Sequence, residues 1–161
     1  MADSTVLYLT PDINGGHPTD SMTVIEGRFN YEATVDTVRI HKLYAPSEPD
    51  AAVIFFTEPG NVHIELSRQA GHSRVSGTKV NNEWQALNDT VAKYDHQLRT
   101  LFEASNDSVN PRRLTAQVQR LYIQLTQRIT EAARRNSDNA LGHFISRHFT
   151  DGRSPSFHFV D

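Results

Sequence analysis

The sequence predicts an α+β chain with strands first and helices after. Up to residue 76, apolar residues alternate with polar ones in short runs, the period of a half-buried strand. Gly- and Pro-bearing turn signals punctuate those runs at short intervals. Near residue 80 the period changes: Val80, Trp84, Leu87, Val91, Tyr94, Leu98 and Leu101 form one helical stripe spaced 4-3-4-3-4-3. The expected architecture is an antiparallel β-sandwich or open barrel of about seven short strands, followed by an α-helical hairpin and a short third helix. The expected domains are an antiparallel β part over 1–79, a helical part over 80–150 and a tail over 151–161.

The expected strands are Thr5–Leu9, Ser21–Ile25, Arg28–Ala33, Thr37–Tyr44, Ala52–Thr57, Asn61–Leu66 and Ser73–Ser76. Phe29, Tyr31 and Ala33 alternate with Asn30 and Glu32, and Val62, Ile64 and Leu66 alternate with His63 and Glu65. Val53-Ile54-Phe55-Phe56 is apolar throughout and should be buried on both faces. Glu26-Gly27 suits a tight hairpin, and Pro59-Gly60 a type II turn in which Gly supplies φ > 0. Pro46 and Pro49 mark a longer loop, and Asn14-Gly15-Gly16 another.

The first helix should run through Phe102, with Asn81 as its cap. Asn110-Pro111 opens the second, with proline at the first helical position. Its apolar stripe is Leu114, Val118, Leu121, Leu125, Ile129 and Ala132. The short Ser105–Asn110 linker implies that the two helices run antiparallel. A third helix follows Ser137-Asp138 and buries Leu141, Phe144, Ile145 and Phe149.

Composition narrows the function classes. The chain has 161 residues and no cysteine, so it holds no disulfide, thiolate nucleophile or cysteine zinc site. The net charge of −3 argues against a nucleic-acid or anionic-membrane partner. The charge is unevenly placed: residues 1–77 hold five basic side chains against ten acidic, and the remainder eleven against nine. No apolar run reaches the ~18–20 residues of a membrane helix. Met1-Ala2-Asp3-Ser4 has neither the basic nor the apolar region of a signal peptide. A cytosolic protein and one whose signal has been removed both fit.

Catalytic constellations are lacking. Candidate metal ligands are His41, His63 and Glu65, the last two on one strand face; against them stands a polar outer sheet face. His143 and His148, five apart, do not share a helical face. Gly71-His72-Ser73 lacks the nucleophile elbow, and Gly15-Gly16 is followed by no phosphate-binding Lys-Ser/Thr. No catalytic residue and no cofactor are expected. Arg112, Arg113, Arg120 and Arg128, with Arg134 and Arg135, make the second helix basic. That face is a possible docking surface for an acidic partner, or simply the solvated side of an amphipathic helix.

Two longer stretches carry a resemblance. Phe55-Phe56-Thr57-Glu58-Pro59-Gly60-Asn61-Val62-His63-Ile64 and Val75-Ser76-Gly77-Thr78-Lys79-Val80-Asn81-Asn82-Glu83, preceded by Asp20-Ser21-Met22-Thr23-Val24 and Glu26-Gly27-Arg28-Phe29-Asn30-Tyr31, resemble a domain family of unknown function. Members of that family stand in front of a thioredoxin-like domain of the redoxin or alkyl hydroperoxide reductase–thiol-specific antioxidant type, in bacterial envelope thiol-disulfide oxidoreductases. Gly152-Arg153-Ser154-Pro155-Ser156-Phe157-His158-Phe159-Val160-Asp161 resembles the opening strand of that redox domain, with Ser154 for the usual Ala and Phe159 for the usual Leu. The resemblance implies a non-catalytic N-terminal module in the periplasm or outer envelope. Such a module recognises a protein partner or positions the redox domain; the alternative is a dimerisation or assembly module of an envelope lipoprotein.

Overall fold

The computed structural model describes residues 3–11, 13–14, 16–104 and 111–149. Among them are six strands and three helices: β1 (Val6–Thr10), β2 (Asp20–Thr23), β3 (Arg39–Ala45), β4 (Glu48–Thr57), β5 (His63–Glu65), β6 (Arg74–Ser76), α1 (Lys79–Glu103), α2 (Pro111–Arg135) and α3 (Ala140–Phe149). The α+β class stands. The strands form a four-stranded antiparallel sheet in the order β2-β1-β3-β4 and a two-stranded sheet of β5 and β6, with no closed barrel among the described residues.

Six of the seven expected strands are present, most displaced by a residue or two, while β4 begins four residues before the expected Ala52. Arg28–Ala33 is the exception. Its Glu26-Gly27 hairpin turn forms, but pairing ends at the single Ile25–Arg28 bridge. Phe29 is only half-buried and Tyr31 is exposed. The loop expected around Pro46 and Pro49 is instead a two-residue turn at Pro46-Ser47, and Pro49 lies inside β4. Proline is tolerated there because β4 is an edge strand.

The described residues divide into two compact units, one up to Gln85 and one from Ala86 onward, with the boundary inside α1. In the first unit Leu7, Leu9, Leu43, Ile54, Phe55 and Phe56 are buried in the sheet, together with Val80 and Trp84 from the first turns of α1. Burial of both Phe55 and Phe56, neighbours on opposite faces of β4, bears out the expectation of a strand covered on both sides.

In the second unit, Leu125, Ile129 and Ala132 of α2 and Leu141, Phe144 and Ile145 of α3 are buried, the stripes expected from the sequence. Phe149 is half-buried. The third helix follows Ser137-Asp138 as expected, and Asn139 caps it: its Oδ1 accepts from the N–H groups of Leu141 and Gly142 at 3.0 and 3.2 Å. The junction is tight, because a Cβ on Gly142 would collide with the Asn136 backbone. The α1–α2 linker at 105–110 and the tail at 150–161 lie outside the described residues.

Candidate functional site

Residues from the two longer stretches that carry the resemblance meet at one place, where β4 ends and α1 begins. Phe56 and Ile54 are two apart on β4, so their backbone groups face the same edge of the strand. The Phe56 N–H donates to Asn81 Oδ1 at 2.8 Å, and Asn81 Nδ2 donates to the Phe56 carbonyl at 2.8 Å. The primary amide thereby reproduces the paired bonds of a neighbouring strand. This double bond requires Oδ1 to face the N–H and Nδ2 the carbonyl, so the amide orientation is unambiguous. The second Nδ2 hydrogen goes to Thr78 Oγ1 at 2.7 Å. Asn81 is wholly buried and satisfied. It is not the helix cap expected of it, since it lies inside α1.

The cap comes from the turn after β4. Glu58 Oε1 accepts from the N–H groups of Val80 at 2.8 Å and Asn81 at 3.3 Å, placing a carboxylate at the positive end of α1. Two glycines permit this approach. Gly60 has φ +123° and sits where a Cβ would press on Thr78 Cγ2 at 3.3 Å. Gly77 has φ +101°, and a Cβ there would overlap the Asn61 carbonyl and the His63 ring. Trp84 completes the arrangement. Its Nε1–H donates to the Ile54 carbonyl at 2.8 Å, and its ring meets Phe56 edge-on at 6.1 Å. Glu58, Gly60, Gly77, Thr78, Asn81 and Trp84 thus form a latch tying the free edge of β4 to the start of α1.

The three candidate metal ligands do not come together. His41 lies on β3 of the larger sheet, whereas His63 and Glu65 are exposed on β5 of the smaller one. Among the described residues, no group of three or more His, Asp or Glu side chains could hold a metal ion. Glu65 pairs across the strands with Arg74, and His63 faces Ser76. His41 packs against Phe55 at 6.0 Å, and its buried Nδ1 has no hydrogen-bond partner among the described residues. Burial lowers its pKa below the usual histidine value; the Arg39 backbone offsets part of this and the Arg39 charge adds to it.

The arginines of α2 stand as a face rather than a pocket. Arg112, Arg113, Arg120 and Arg128 are all exposed, and Arg128 pairs with Glu131 at 3.4 Å. Exposed Ile123 lies among them, and α2 holds six arginines against one glutamate. Gly71-His72-Ser73 is structural: Ser73 Oγ accepts from the Ser67 N–H at 3.1 Å and closes its loop.

The sequence model of one family, a domain of unknown function (DUF4369), matches residues 1–84. The chain belongs to this family. The match ends at Trp84, one residue before the boundary of the first compact unit, so the DUF4369 domain is that unit: sheet, latch and opening turns of α1. No curated protein and no solved structure matches the chain. Sequence reasoning identified the latch residues only as elements of a pattern. It missed the pairing of Asn81 with Phe56, because asparagine near a helix start reads first as a cap. It also missed Glu58, whose partners lie more than twenty residues away.

Proposed function

We propose that this chain is a non-catalytic N-terminal module of a larger thiol-disulfide oxidoreductase of the cell envelope, where it recognises a protein partner or positions a thioredoxin-like redox domain. What carries the reading is the fate of the residues that define the family pattern. Glu58, Gly60, Gly77, Thr78 and Asn81 are engaged in tying β4 to α1. A pattern spent on holding a scaffold together suits a module that presents a surface rather than one that performs chemistry. The parent class and the envelope location rest on the resemblance to a family that stands in front of a redox domain in envelope proteins, and residues 152–161, which resemble the opening of such a domain, fit it.

The test uses the complete protein. Its coding sequence should continue into a Cys-x-x-Cys motif, and removing the present module should leave the reduction of a small aromatic disulfide intact while slowing reduction of a folded protein disulfide. A parent without paired cysteines would overturn the redox assignment. Loss of both activities on removal would make the module part of the catalytic unit.

A second reading, an assembly module of an envelope lipoprotein, is favoured by the arginine face of α2, since residues 1–77 carry twice as many acidic as basic side chains. Complementary surfaces on one chain can join copies head to tail. Sedimentation at low and high salt separates the two readings: assembly requires a salt-sensitive oligomer, and partner recognition does not.

A further inference from the structure

Both central residues of the Glu26-Gly27 turn have positive φ, 51° and 72°, the signature of a type I′ hairpin turn. Its closing bonds are present: Ile25 N–H donates to the Arg28 carbonyl at 2.8 Å, and Arg28 N–H returns to the Ile25 carbonyl at 2.9 Å. Such a turn matches the twist of two paired strands and ordinarily continues into them. Here it does not. β2 ends the four-stranded sheet, and no strand among the described residues pairs with its outer side.

The groups on that side can be assigned. Val24 donates its N–H to the Thr5 carbonyl and accepts from Ser4 N–H, so Val24 faces β1. By alternation Thr23 and Ser21 face outward, as Ile25 does in bonding Arg28. The Ser21 N–H is held by its neighbour's Asp20 Oδ1 at 2.8 Å.

The bridge also dictates a register. Extended from Ile25–Arg28, it sets Val24 opposite Phe29, Thr23 opposite Asn30, Met22 opposite Tyr31 and Ser21 opposite Glu32. Buried Val24 and half-buried Met22 would then share one face with Phe29 and Tyr31, while exposed Thr23 and Ser21 would share the other with Asn30 and Glu32. A slip of one residue would invert every pair. Burial, and after it the Asp20 carboxylate at the start of β2, raises the Tyr31 pKa, which sets the Tyr31 hydroxyl near this edge.

We propose that the outer edge of β2 is a strand-accepting site whose occupant is the chain's own Phe29–Ala33 segment, which zips onto β2 from the Glu26-Gly27 turn and releases again. When zipped, the segment covers the edge; when released, as in this structure, it leaves Thr23 presented for pairing. The inference concerns this unit alone and does not depend on the parent protein.

Because the chain has no cysteine, a single introduced disulfide reads the register cleanly. Met22→Cys with Tyr31→Cys should cross-link in a glutathione redox buffer, in clear excess over Met22→Cys with Asn30→Cys or with Glu32→Cys. Hydrogen exchange on the unmodified chain supplies a second measurement. The amides of Asn30 and Glu32, which bond Thr23 and Ser21 only in the zipped state, should exchange roughly tenfold or more slowly than random coil. Glu26→Asn, which improves the type I′ turn, should slow them further. Random-coil exchange at both amides in the natural chain and in Glu26→Asn would overturn the proposal. So would cross-linking that does not discriminate among residues 30, 31 and 32.

Discussion

The two edges of the four-stranded sheet meet the same problem in different ways. At β4 both outward groups of Phe56 and the outward carbonyl of Ile54 are consumed by side chains of α1: Asn81 pairs with Phe56 in both directions, and Trp84 caps the Ile54 carbonyl. At β2 the outward groups of Thr23 and Ser21 meet no strand among the described residues, and the segment able to cover them pairs with the edge no further than the Ile25–Arg28 bridge. An exposed edge is a template for pairing with another chain, so a covered edge and a free one have different prospects. The difference also shows what a helix start can do beyond burying an apolar stripe. In its first two turns α1 delivers one amide and one indole to the sheet edge, and its own open N–H groups are held by Glu58 from the turn after β4.

If the β4 edge is the constitutive one, breaking it should cost the most. Trp84→Ala removes a ring that is 2% exposed, along with its bond to Ile54, and should destabilise the chain by about 3–5 kcal/mol in denaturant titration. A cost near zero would mean that the edge is closed by other groups. Asn81→Ala leaves the Phe56 N–H and carbonyl without their partner in a buried site and should cost about 1–3 kcal/mol for each group that stays unpaired. A cost below that of an ordinary surface substitution would show that water replaces the amide.

A smaller effect is expected between the edges, at His41 on β3. Its folded pKa lies below the unfolded value of about 6.5, so the folded state binds fewer protons. The contribution of neutral His41 is therefore fully present above that value, and stability should decline as pH falls through it toward the lower folded pKa. His41→Phe should flatten this part of the pH–stability profile, and an unchanged profile would assign the slope to another group. The smallest effect should appear at the β2 edge, where Thr23→Lys should change stability by no more than about 0.5 kcal/mol. A larger loss would show that the edge is already covered in the resting molecule.

Much of the fold was readable from local pattern. The stripes from Val80 to Leu101 and from Leu114 to Ala132 mark two long helices, and Val53–Phe56 marks a strand buried on both faces, because burial of one face or two leaves a direct trace in residue order. The missed elements share a cause. Arg28–Ala33 has a strand's alternation, but among the described residues its strand pairing stops at the Ile25–Arg28 bridge, and alternation reports only which residues could share a face. Pro49 reads as loop from its own chemistry, yet it is accommodated because β4 lies at an edge. The candidate trio His41, His63 and Glu65 was assembled from residues on different sheets, a separation that no local pattern records.

The sequence alone determined what depends on neighbours along the chain: the order of strands before helices, the buried stripes, the tight turn at Glu26-Gly27 and the absence of cysteine. Only the tertiary structure decided what depends on hydrogen-bond partners far away in sequence. It set Asn81 against Phe56 across 25 residues and Trp84 against Ile54 across 30, and it left one sheet edge closed and the other open. The physical reason is that burial is a property of single residues averaged over many contacts, whereas each of these bonds requires one donor to meet one acceptor within a few tenths of an ångström.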